Sequence, residues 1–198
     1  KTLHVNYRTS HQIRQQADKL LGKEVADADG NVEDRSRTVS IFNGPDPAIK
    51  IFADENAEAL FVGEWIKQQL AGGVAPHELG VFVRSQHQIS RAVQALKNAN
   101  CGYIILDDTV DTISNKIAIS TMHFAKGLEF KSVAVIACDD EVIPLQERIE
   151  TVTEQSDLEE VYNTERHLLY VACTRARDCL LITSVEPASE FLDDLRIG

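Results

Sequence analysis

Two stretches of this sequence set cations beside glycine or hydroxyl side chains at the ends of apolar runs. TMHFAKGLEF, Thr121 to Phe130, presents Lys126, Gly127 and Glu129, and LYVACTRAR, Leu169 to Arg177, presents Thr174 and Arg175. Glycine lets a backbone approach a ligand closely, and lysine supplies a compact point charge. A guanidinium stays charged and forks onto two phosphate oxygens, which suits it to the charge that develops in phosphoryl transfer. Glu129 is placed to accept a hydrogen bond from a sugar hydroxyl. Plainer readings stand beside these: Lys126 and Glu129 as surface charges on a turn, His123 as a structural histidine, Arg175 as a cation answering a helix dipole. Near the N-terminus, Tyr7-Arg8 couples a ring able to stack on a base with a second guanidinium. Arg84 ends the apolar run Leu79 to Val83, at the strand edge where ligands meet parallel sheets. As a set, these residues imply an anion site assembled from separate loops.

Apolar strands and helices must alternate to hold such loops in place. Leu3 to Asn6 reads as extended, and Ser10 to Leu21 as a helix with Ser10 as its N-cap. Thr38 to Phe42 and Ile49 to Ala53 read as strands around the turn Asn43 to Pro47. Glu55 to Leu70 reads as a helix with Ala59, Val62, Trp65, Ile66 and Gln69 near one face and Trp65 in the core. Leu79 to Val83, Tyr103 to Leu106, Ile117 to Ser120, Ser132 to Ala137 and Cys179 to Thr183 read as strands. Ile89 to Asn98 and Glu159 to Thr174 read as helices between them. Fully apolar strands alternating with helices predict an α/β fold, a mainly parallel sheet with helices on both faces. Gly22 to Arg37 is a polar connection.

With 198 residues the chain is long enough for a sizeable core and reads as one domain, and the absence of an initial methionine leads to the expectation of a piece of something longer. No run approaches the roughly 18 apolar residues of a membrane span. Cys101, Cys138, Cys173 and Cys179 form no CxxC pair, so they read as reduced thiols of a cytoplasmic protein. A net charge of −11 argues against a general nucleic-acid coat, because such binders gain affinity by neutralising phosphates. The acid is concentrated: residues 139–165 hold ten carboxylates against Arg148 alone, and read as a solvated loop and helix start elaborating the domain. No GxxxxGK(S/T) loop is present, so the backbone cradle for β- and γ-phosphates is missing. Val133 to Glu141 ends an apolar strand in acids as a magnesium-holding segment does, but without that loop its acids read as the start of the solvated stretch.

The order and spelling of the segments resemble the UvrD/Rep-type superfamily 1 DNA helicases, in the second of their two RecA-like motor domains. The matching strings are HVNYRTSHQI from His4, LGVFVRSQHQISRAVQAL from Leu79, ISTMHFAKGLEFKSVAVI from Ile119 and ERHLLYVACTRARDCLLIT from Glu165. The resemblance implies that Tyr7 stacks on adenine and that Arg8 and Arg175 reach the ATP γ-phosphate. It implies that Lys126, Gly127 and Glu129 meet the phosphates and ribose. By the same resemblance Thr121 and His123 face the single-stranded DNA, and Arg84 and Ser85 lie near its track. Further implications are ATP with Mg2+ as cofactor, an N-terminal RecA-like domain of the same polypeptide holding that metal, and 3′ to 5′ movement. Only a short link joins Leu106 to Ile117, where the relatives carry a large accessory domain, and His167 stands where they often have arginine. A non-catalytic interaction module, the motor of a helicase–nuclease and a small-molecule nucleotide-binding enzyme are the rival readings.

Overall fold

The computed structural model describes residues 4–6, 8–21, 38–40, 42–107 and 115–196. Its centre is a six-stranded, wholly parallel sheet. The strands are β3 (Ala48–Phe52), β4 (Leu79–Val83), β5 (Tyr103–Ile105), β6 (Ile117–Thr121), β7 (Phe130–Val135) and β8 (Ala176–Val185). They lie in the spatial order β3-β8-β7-β4-β6-β5. Two short strands, β1 (His4–Asn6) and β2 (Thr38–Ser40), make a separate parallel pair. Parallel strands need crossovers, and helices on both faces supply several of them. One face carries α2 (Glu55–Ala71) and α3 (Ile89–Ala99); the other carries α1 (His11–Asp18), α5 (Gln155–Cys173) and α6 (Phe191–Arg196). A short helix, α4 (Gln146–Glu150), precedes α5.

The pleat sends successive side chains to opposite faces, so each central strand feeds two cores. Leu79, Val81, Val83, Ala134 and Leu181 pack under α2 and α3 with Val62, Ile66, Ala92 and Leu96. Phe82, Val133, Val135, Leu180 and Ile182 pack the other way, against Ile13, Leu169, Ala172 and Phe191. This double burial is why β4 contains no polar residue and is buried along its whole length. Trp65 is half-buried rather than central: the α2 seam runs through Ala59, Val62 and Ile66, and the indole covers its flank. The strands beginning at Thr38 and Ala48 do not pair with each other; each joins a different sheet. Between them Gly44 packs tightly, since a Cβ there would stand 2.8 Å from the Asp178 carbonyl oxygen and 3.0 Å from Ser10. Gly44 N–H donates to Gln12 Oε1 at 2.8 Å and His11 N–H to the Phe42 carbonyl at 3.1 Å, so this loop braces the start of α1.

The carboxylate-rich stretch departs from the solvated expectation at both of its ends. Asp139 accepts from Val185 N–H at 2.7 Å and pairs with Arg91. Arg91 is buried and also pairs with Glu58 of α2, whose other oxygen accepts from Thr183 Oγ1 at 2.6 Å and Ala137 N–H at 3.1 Å. Burial alone would lower the proton affinity of Arg91, but Asp139 and Glu58 outweigh it and hold the guanidinium charged. At the far end of the stretch Glu165 is 0% exposed. Both carboxylates are tertiary ties, because each meets an arginine from a distant part of the chain.

Candidate functional site

The residues singled out from sequence fall at opposite ends of the parallel sheet. Arg175 immediately precedes β8, and its carbonyl accepts from Phe130 N–H at 3.0 Å where β7 begins, so Glu129 and Arg175 share the edge at which these strands start. Arg8 arrives there from the N-terminus. Ser10 N–H donates to the Arg177 carbonyl at 2.9 Å, and Thr9 Oγ1 donates to the Thr174 carbonyl at 3.2 Å. Ser10 also caps α1 by accepting from Ile13 N–H, which fixes the chain direction just after Arg8. The Arg8 side chain is exposed.

Arg175 is held before any ligand arrives. Its Nε donates to the Val171 carbonyl at 3.1 Å, one NH2 group to the Leu128 carbonyl at 3.3 Å, and the other approaches Thr174 Oγ1 at 3.5 Å. Among the described residues no further acceptor takes its remaining N–H donors. Burial lowers its proton affinity first and the positive charge of Arg8 lowers it further, against opposing contributions from Tyr170 and Glu129. The repulsion between the two guanidiniums, only partly offset by Glu129, favours an anion at this corner. The turn carrying Lys126, Gly127 and Glu129 completes this corner: all three are exposed, and Gly127 has φ +88°. Arg177 does not join them, since its guanidinium is matched to Asp178 at 2.8 and 2.9 Å. Tyr7 lies outside the described residues, as does the polar connection 22–37.

Arg84, Ser85, Thr121 and His123 occupy the opposite edge, where β4 and β6 end. Arg84 corrects the sequence reading. It is 2% exposed and forks onto Glu165 at 2.5 and 2.6 Å, so it offers no charge to a phosphate on the surface. Ser85 caps the following turn, accepting from His87 N–H and donating to Gln88 Oε1 at 2.8 Å. Thr121 is 5% exposed and ends β6. His123 is exposed, with Nδ1 3.4 Å from an Arg84 NH2 group. Its proton affinity is lowered, chiefly by burial of part of the ring and then by Arg84, with Glu165 pulling the other way and Arg148 adding to the decrease. His167 is exposed and stacks on Tyr170 at 6.1 Å between ring centroids. Glu165 is the functional candidate that sequence reasoning missed. A carboxylate within a run of carboxylates signals solvent, and only the arginine 81 positions earlier reveals its burial.

Residues 108–187 match the family model described as the UvrD-like helicase C-terminal domain. The matched residues make up less than half of the chain. Among curated proteins similar to this chain, a probable DNA helicase II homolog of Mycoplasma pneumoniae is 31% identical over 107 residues, covering 49% of this chain and 14% of that protein. The ATP-dependent DNA helicase PcrA of Staphylococcus epidermidis is 38% identical over 77 residues, covering 39% of this chain and 10% of that protein. The match thus spans a small fraction of either relative. A solved C-terminal domain of a possible DNA helicase from Lactobacillus plantarum superposes with a TM-score of 0.66 at 19% identity, covering 96% of this chain and 94% of that one. At that identity the likeness speaks for the fold, and the fold is the RecA-like α/β arrangement expected from sequence. Among the described residues no group of three or more His, Cys, Asp or Glu could hold a metal ion, and no helix is long and apolar enough to cross a membrane.

Proposed function

We propose that the chain is a single motor domain, the C-terminal one of an ATP-dependent DNA helicase that moves 3′ to 5′ along single-stranded DNA. In this reading Arg8 and Arg175 reach the ATP terminal phosphate across a cleft from the N-terminal RecA-like domain of the same polypeptide. Lys126, Gly127 and Glu129 meet the phosphates and ribose, and Tyr7 stacks on the base. Thr121 and His123, at the far edge of the sheet, face the single strand. The observation that carries the reading is that the chain beside Arg8 is bonded to the chain beside Arg175, Thr9 Oγ1 to the Thr174 carbonyl at 3.2 Å and Ser10 N–H to the Arg177 carbonyl at 2.9 Å. A developing phosphoryl charge is what two such guanidiniums stabilise. The residues present fit the anionic end of ATP, and Mg2+, which neutralises charge between the β- and γ-phosphates, is assigned to the partner domain. The chain alone, lacking a phosphate loop, is expected not to hydrolyse ATP. A cytoplasmic location belongs to the same reading.

The test is Arg175→Ala in the intact polypeptide. DNA-stimulated ATP turnover should fall by about 10³-fold, the scale of an arginine finger, with nucleotide affinity little changed. Unchanged turnover would remove Arg175 from the site.

A further inference from the structure

We infer that Glu165 and Arg84 are a positioning pair that locks the imidazole of His123 into one tautomer, with Nδ1 turned inward as an acceptor and the Nε2–H presented to solvent. The carboxylate of Glu165 gathers four donors from three residues. Arg84 Nε and an NH2 group reach it from the end of β4 at 2.5 and 2.6 Å, Arg148 from α4 at 3.0 Å, and Leu145 N–H at 3.3 Å. With 0% and 2% exposure, neither Glu165 nor Arg84 is reached by ions or substrate. The fork on Glu165 leaves the second NH2 group of Arg84 facing His123 Nδ1 at 3.4 Å. Arginine has no acceptor, so the only hydrogen bond open to this contact is from the guanidinium to a bare Nδ1. The ring proton must then sit on Nε2.

The consequence is a donor of fixed direction without a charge. Arg84 and Arg148 disfavour a second proton on the ring, Glu165 favours one, and these are the charged groups facing His123 from β4, α4 and α5. A neutral Nε2–H suits a phosphate oxygen or a base-edge acceptor and contributes little to counterion release. Arg84 thus acts on a bound strand through His123 and not by touching it. The inference depends on the proposed function only for the identity of what meets the Nε2–H.

The decisive experiment is a long-range proton–nitrogen spectrum of protein labelled with 15N-histidine, with the His123 signals assigned by their loss in His123→Gln. The unmodified protein should show His123 as a single Nε2–H tautomer near neutral pH; an averaged or Nδ1–H pattern overturns the inference. Replacing both partners together, Arg84→Met with Glu165→Gln, avoids leaving a lone buried charge. It should release His123 to the averaged pattern, and retention of the single tautomer in a folded double variant also overturns the inference. In the intact polypeptide the same double variant should raise the oligo-dT concentration for half-maximal ATPase stimulation about tenfold, with turnover at saturating DNA within about twofold. If the tautomer moves while the DNA requirement does not, the positioning pair stands and the single-strand assignment of His123 falls.

Discussion

At the scale of single residues, the site divides into groups whose charge is available and groups whose charge is already matched. Arg175, held by carbonyl oxygens, belongs to the first kind; Arg84, Arg91 and Arg177 belong to the second, each answered by a carboxylate. Sequence identifies arginine but not its partner, which is why Arg84 read as a surface contact and Glu165 as solvated. His123 supplies a prediction at this scale. Its folded proton affinity lies below the usual histidine value of 6.5, so the unfolded chain takes up its proton first as pH falls. The stability it contributes is complete above pH 6.5 and is lost as pH drops below that value towards the folded pKa. Urea midpoints measured from about pH 7 down to about pH 5 should therefore decline less steeply in His123→Asn than in the parent. An identical slope in the two proteins would show that the ring titrates alike folded and unfolded. Glu165 acts lower on the scale: burial would raise its pKa, but the hydrogen bond and charge of Arg84 prevail and hold it below 4.5. Its share of stability is present above pH 4.5 and lost as acid overcomes the folded pKa.

Elements turn these residues into a site by spanning the sheet. The segment from Met122 to Glu129 leaves the end of β6 and reaches the start of β7, so it crosses the full strand length, roughly 17–20 Å for strands of this size. It is fastened at both ends by residues tied to α5: His123 through Arg84 and Glu165, and Leu128 through Arg175. From Glu165 to Cys173, the last residue of α5, is eight positions, about 12 Å along a helix, so α5 runs beside much of the crossover. Gly127 makes the last bend possible. With φ +88° and nothing within 4 Å of the place a Cβ would occupy, its requirement is backbone freedom and not space. Gly127→Ala should cost about 1–2 kcal/mol in urea unfolding; an unchanged midpoint would mean that the turn readily adopts another shape. The strands were legible because double burial demands uninterrupted apolar runs, and Leu79 to Val83 was read to the residue. Ends were less so: α5 begins at Gln155 among polar residues that show no period, and β8 begins at Ala176, where only pairing with Phe130 reveals a strand.

For the molecule as a whole, the net charge of −11 and the cationic corner act over different distances. Much of the acid lies in residues 139–165, which follow β7 at the sheet edge opposite Arg175, so the overall sign does not oppose an anion at the corner. Motif spelling carried the domain assignment, and the α/β alternation carried the architecture, because both are written locally. What locality cannot write is which distant segments meet, and the meeting of the N-terminal Arg8 with Arg175 is the central claim. The most direct measurement is a double-mutant cycle on DNA-stimulated ATP turnover in the intact polypeptide, using Arg8→Ala, Arg175→Ala and the pair. If both guanidiniums serve one transition-state charge, each single change should cost about a hundredfold or more, and the pair should cost far less than the product of the two. Losses that simply multiply, or a variant with full turnover, would contradict a shared phosphate between them.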